Sequence, residues 1–144
     1  MRDGIRAYNW RTEGDTRLSA NFKVREFKCG EETVTFISMP LVEALQKLRD
    51  AAGRSVNITS GYRNRAQNTK AGGSGDSLHL YGAAADLYVS GMSARETGKL
   101  LDRLFPASCI GVYETSGHVH FHLQPTRSRY VVDRNGKSRY VSGF

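Results

Sequence analysis

A chain of 144 residues, 39% hydrophobic and 24% charged, suits one soluble globular domain. A domain of this size buries roughly two thirds of its unfolded surface and needs no staple to fold. The formal net charge of +7 favours polyanions, yet the Lys and Arg are scattered with no basic run, which argues against a nucleic-acid arm and leaves an anionic polymer or surface.

No stretch approaches the roughly 20 apolar residues of a membrane span. Met1 to Trp10 lacks the apolar segment of a secretory signal, so a target outside the membrane implies delivery by other means or an exported segment not seen here. Residues 1–20 are polar and irregular, and 1–17 are expected to form an N-terminal arm of a single domain spanning 1–144. Phe22, Val24 and Phe27 give an apolar anchor. Ser38-Met-Pro40 opens a helix, with Ser38 as N-cap and Pro40 in the tolerated first turn. Leu41, Ala44, Leu45, Leu48 and Ala52 make its apolar stripe, and Gly53 ends it. Residues 55–62 read as a strand. Residues 63–76, rich in Arg, Asn, Gly and Ser, read as a long loop of the kind that carries function. A second strand is expected over 82–89.

Ser93-Ala-Arg-Glu96 is a capping box opening a helix that Pro106 stops, with Leu100, Leu101 and Leu104 as its buried stripe. Strands over 109–114 and 118–123 flank the turn Thr115-Ser-Gly117 and predict a hairpin. A C-terminal hairpin is expected within 126–144, around Asn135-Gly136. The order of elements predicts an α+β domain with a mainly antiparallel sheet. Cys29 and Cys109 are far apart and in no CxxC arrangement, consistent with buried thiols or with one disulfide.

The four histidines lie at two places, His79 and the run His118-Val-His120-Phe-His122. Alternate strand side chains share a face, so the run presents three imidazoles on one side and Val119, Phe121 and Leu123 on the other. Crowded imidazoles repel one another when protonated, and a metal is a natural reason to collect them. Asp86 ends a run of small apolar residues, where a carboxylate is costly to bury without a cation partner. Two imidazoles and a carboxylate are the protein ligands of a catalytic zinc, with the fourth position left to water. A lone histidine or aspartate is usually an ordinary core or surface residue, but the joint pattern is much harder to reach by chance.

These residues resemble the zinc D-Ala-D-Ala peptidases, whose fold is shared with the amino-terminal domain of hedgehog signalling proteins. The resemblance rests on Ser77-Leu-His79-Leu-Tyr-Gly82-Ala-Ala84-Ala-Asp86 and on His118-Val-His120, with Ser60-Gly-Tyr-Arg63 and Asn68 upstream. The tract Val112-Tyr-Glu114-Thr-Ser-Gly-His118-Val-His120 is especially similar to the hedgehog version. Leu18-Ser-x-Asn-Phe22 and Glu26-Phe27-x-Cys29 look like the opening of short bacterial and phage members, and the likeness covers about residues 18–125.

The resemblance implies a hedgehog-like α+β fold and zinc held by His79, Asp86 and His120. His118 would lie beside the metal without binding it, and Arg63 would hold a substrate carboxylate or carbonyl, a task suited to its planar fork. Asn68 and Tyr62 would help position the substrate, and Ser77 would brace the loop or a ligand. The general base is Glu114 or His118. Gly117 stands where many members carry an acidic residue, and His122 where many short members carry Asp. The implied activity is hydrolysis of a peptidoglycan stem-peptide bond, of D-Ala-D-Ala or L-Ala-D-Glu type, by metal-activated water. The enzyme would act at the cell wall as a monomer, phage-delivered, holin-released or exported, with anionic wall polymers as further partners. A zinc-stabilised binding module without turnover is the alternative.

Overall fold

In the computed structural model, residues 4–75, 77–123 and 126–144 are described. Strand β1 (Ile5–Asn9) and helix α1 (Trp10–Glu13) come first, then a 3-10 turn (Val24–Phe27), β2 (Val34–Ser38), α2 (Met39–Ala52), β3 (Val56–Ser60) and α3 (Arg65–Lys70). A second 3-10 turn (Leu78–Tyr81) leads into β4 (Ala85–Val89), α4 (Ala94–Leu104), β5 (Cys109–Tyr113), β6 (Val119–His122), β7 (Ser128–Val132) and β8 (Ser138–Tyr140).

β1 and β2 form a two-stranded antiparallel sheet, and the other strands form a six-stranded sheet ordered β3-β4-β6-β5-β7-β8. The domain is therefore α+β. Its large sheet is mixed, because β7 crosses β5's edge and pairs with it in parallel, while the remaining neighbours are antiparallel. Both expected hairpins are present, β5–β6 and β7–β8.

The expected caps hold α2 and α4. Ser38 accepts from Leu41 N at the start of α2, and Gly53 closes it in the left-handed conformation at φ +65°. Ser93 and Glu96 form the capping box of α4.

Two expectations are corrected. The N-terminal arm is ordered structure: residues 5–9 pair with β2 in register from Ile5↔Ser38 to Asn9↔Val34. The long loop contains α3, whose N-cap Asn64 accepts from Gln67 N. Residues 1–3 of the expected arm, residue 76 of the expected loop and residues 124–125 lie outside the described residues.

The sheet has two unlike faces. Leu87 on β4, Ile110 and Val112 on β5, Val119 and Phe121 on β6 and Val131 on β7 join Leu41, Leu45 and Leu48 of α2 and Leu100 and Leu101 of α4 in one buried core. Full burial of each such side chain contributes about 1.5–3 kcal/mol before chain entropy is counted. By the alternation of strands, Asp86, Gly111, His120, His122 and Tyr130 fall on the opposite face.

Candidate metal centre and cleft

That opposite face forms the floor of a cleft of about 730 Å³. Register sets its centre. Asp86 on β4 lies directly across from His120 on β6, which in turn lies across from Gly111 on β5. Paired strand residues hold their Cβ atoms about 4.5–5.5 Å apart, and here this brings His120 Nδ1 within 3.0 Å of Asp86 Oδ1. Gly111 leaves the space that the Tyr130 ring fills, since a Cβ there would meet that ring at 2.1 Å.

His79 arrives from the second 3-10 turn. Ser77 Oγ caps this turn by accepting from His79 N (3.2 Å). His79 Nδ1 lies 2.7 Å from Gly61 O. A carbonyl only accepts, so Nδ1 carries the proton and Nε2 presents a lone pair. That Nε2 is buried, 3.3 Å from Asp86 Oδ1 but not aligned with it, and has no hydrogen-bond partner among the described residues. Gly82 ends the turn at φ +69°, and its carbonyl accepts from Ser38 N (3.0 Å).

Donor atoms of His79, Asp86 and His120 all lie within 4.8 Å of one another. An orphaned buried imidazole nitrogen, a second imidazole and a carboxylate between them suit a divalent cation of the zinc type. Burial alone would raise the Asp86 carboxyl, but its hydrogen bond with His120 opposes burial, and the carboxyl lies well below the usual carboxylate range, ready to ligate. Arg63 Nη2 donates to Asp86 Oδ2 (2.7 Å) and Arg63 Nε to Ser60 Oγ (3.0 Å), so the outer oxygen of Asp86 is fixed in turn.

The remaining expected residues separate. Arg63 and His118 line the cleft. His118 stacks on Tyr113 with ring centroids 4.2 Å apart, and its Nδ1 contacts Ser116 Oγ. Burial lowers its pKa, which favours the neutral imidazole. Glu114 is not among the residues lining this cleft and is paired with Arg95 at 3.1 Å. Tyr62 lines a neighbouring pocket and packs edge-on against Phe36 at 5.3 Å. Asn68 is buried under the loop, where its Nδ2 donates to Ser74 O (2.7 Å). Both cysteines are buried free thiols.

Three cleft residues were not singled out as site residues by the sequence. His122 Nδ1 lies 2.8 Å from His120 Nε2. Tyr113 and Tyr130 line one wall, with their hydroxyls 3.3 Å apart. Burial pushes the Tyr130 hydroxyl far above the usual phenol range, so it stays protonated. The alternation in β6 was the available signal for His122; Tyr130 depends on the β5–β7 pairing, which no local pattern announces.

The family model described as Peptidase M15 matches residues 20–122, well over half of the chain. No curated protein matches it.

Proposed function

The chain belongs to the Peptidase M15 family and is a metallopeptidase, and from that premise we propose that it is a zinc-dependent peptidase hydrolysing a bond of the peptidoglycan stem, of D-Ala-D-Ala or L-Ala-D-Glu type. The observation that carries the reading is the convergence of His79, Asp86 and His120 beneath an open cleft, with His79 Nε2 otherwise unpartnered. The fold is taken as the hedgehog-like one, supported by the Tyr113-Glu114 pair and His118-Val119-His120 on the β5–β6 hairpin.

Zinc bound by these three residues supplies Lewis-acid activation of the scissile carbonyl and of water. His118, on the cleft wall and favoured as neutral imidazole, takes the proton and passes it to the leaving amine. Glu114 is held by Arg95 of α4. Arg63 has five N–H donors. Those not engaged by Ser60 and Asp86 meet a carboxylate or carbonyl of the stem. Tyr130, which keeps its proton, donates to the bound peptide. Tyr62 lines the adjoining pocket, which can take a further part of the peptide, and Asn68 shapes the loop between. The +7 charge draws the enzyme to anionic wall polymers, an attraction that salt weakens. Among the described residues no helix is long and apolar enough to cross a membrane.

The deciding experiment follows release of new amino groups from purified peptidoglycan by zinc-loaded protein, chelated protein and His120→Ala, with metal content measured in each. Zinc-dependent release that disappears in the variant supports the reading, and fragment masses name the bond. Stoichiometric zinc with no turnover on any wall substrate favours a binding module.

A further inference from the structure

We propose that Cys109, His120 and His122 form a second metal site, adjoining the first and sharing His120, selective for a soft d10 cation such as Zn²⁺ or Cd²⁺. It does not depend on the hydrolytic reading, because only the chain's own donor atoms enter it.

The two rings of β6 and the thiol of β5 are brought together by register. Cys109 pairs with His122 and Gly111 with His120, so the three side chains stand on one face of adjacent strands. Their donor atoms all lie within 4.8 Å of one another. Bond lengths of about 2.3 Å to sulfur and 2.0–2.1 Å to nitrogen need tetrahedral donors to stand roughly 3.5 Å apart, within reach of small side-chain adjustments. His120 can serve both centres because its nitrogens face different ways: Nδ1 lies 3.0 Å from Asp86 Oδ1 and Nε2 lies 2.8 Å from His122 Nδ1.

The donor set also selects the ion. A thiolate with two imidazoles favours zinc, cadmium or copper(I) over magnesium or calcium, which prefer oxygen. His122 opens on the cleft and gives an ion a route inward, while Cys109 at 7% exposure lies behind it. The incoming ion displaces the thiol proton of Cys109. With the first site filled through Nδ1, it also displaces the one proton of His120, then on Nε2, leaving a bridging imidazolate, so two protons leave with the second ion while His122 keeps its proton on Nε2. With the first site vacant, His120 keeps a proton on Nδ1, and only the thiol proton need leave.

The test is titration of chelator-stripped protein with Cd²⁺, following bound equivalents by equilibrium dialysis and thiolate-to-cadmium charge-transfer absorption. Wild type is expected to bind two equivalents and to develop the absorption. His79→Ala should bind one equivalent and keep the absorption, which separates this site from the first. Cys109→Ser should bind one and lose it. His122→Ala, altered at the cleft rather than in the interior, should weaken the second equivalent by tenfold or more. Cys29→Ser is the control for the other thiol and should match wild type. A wild type that binds a single equivalent without thiolate absorption overturns the proposal, as does absorption that survives Cys109→Ser or is abolished by Cys29→Ser.

Discussion

Gly82→Ala tests how the turn carrying His79 is held. Gly82 sits at φ +69°, and a Cβ added there would lie 1.8 Å from Phe36 O and 2.4 Å from Phe36 C. The left-handed conformation costs a non-glycine residue about 1–2 kcal/mol. Relieving the contact to about 3 Å requires a displacement of over about 1 Å. β2 cannot supply it readily, because Ile37 is fully buried and the strand is paired with β1. The turn must therefore recede, breaking the Ser38 N to Gly82 O bond, worth about 1 kcal/mol. The total loss is about 2–4 kcal/mol, and His79 Nε2 is carried out of a site whose ligand distances tolerate about 0.2 Å. Gly53→Ala is the matched control. Its φ is +65°, and a Cβ there meets nothing within 4 Å, so it incurs backbone strain alone. Urea unfolding measures both stabilities, and chelator competition measures zinc affinity, expected to fall by tenfold or more only in Gly82→Ala. Equal stability losses in the two variants, with zinc affinity unchanged in both, would refute the close-approach argument.

Three further outcomes follow from the site and its support. Arg129 is fully buried and donates to Asp102 (2.8 Å), Ser128 O (2.8 Å) and Pro106 O (3.1 Å), so Arg129→Met should cost about 3–5 kcal/mol by urea unfolding, with Arg129→Lys intermediate; a loss below about 1 kcal/mol contradicts the assignment. Burial pushes His122 down to about 4 from 6.5, and the folded state therefore resists a proton that the unfolded state accepts. The unfolded chain binds more protons between these values, so metal-free stability should fall as pH drops from 6.5 toward 4, by up to about 3 kcal/mol from this ring, and flatten below. Urea midpoints across that range in chelator check the slope, which His122→Asn should reduce. Finally, His118→Ala should lower kcat on wall substrate by about 100-fold or more, whereas Glu114→Gln should lower it little. The reverse order would move the proton transfer to Glu114.

The parts legible in the sequence are those whose signals are local. α2 and α4 carry caps and stripes within a few residues, the hairpins carry their turns, and His79 with Asp86 stands in one short motif. β1 and β2 carry no turn signal between them, because each is only five residues long and depends on a partner about thirty residues away in the chain. α3 has its Asn64 cap but no apolar stripe, so a polar stretch with one short helix looked like loop. Nothing local in Ser128-Arg-Tyr-Val-Val132 marks Arg129 as buried, because most of its partners come from α4 and the segment after it. The pairing of Glu114 with Arg95 is equally nonlocal, joining residues 19 apart in the chain.

The three donors of the candidate centre are not held alike. Asp86 and His120 are opposed on neighbouring strands inside the six-stranded sheet, so neither can shift without disturbing the ladder. His79 stands on a four-residue turn, fixed by Gly61 O at Nδ1, by the Ser77 cap and by the approach of Gly82 to β2. Mutational sensitivity of metal affinity should therefore extend outward from His79 to residues that touch no metal, while around Asp86 and His120 it should stay close to Arg63 and His122. A rigid sheet carries two of the candidate ligands and a braced turn carries the third. The turn is thus the element through which strain elsewhere in the domain reaches the site.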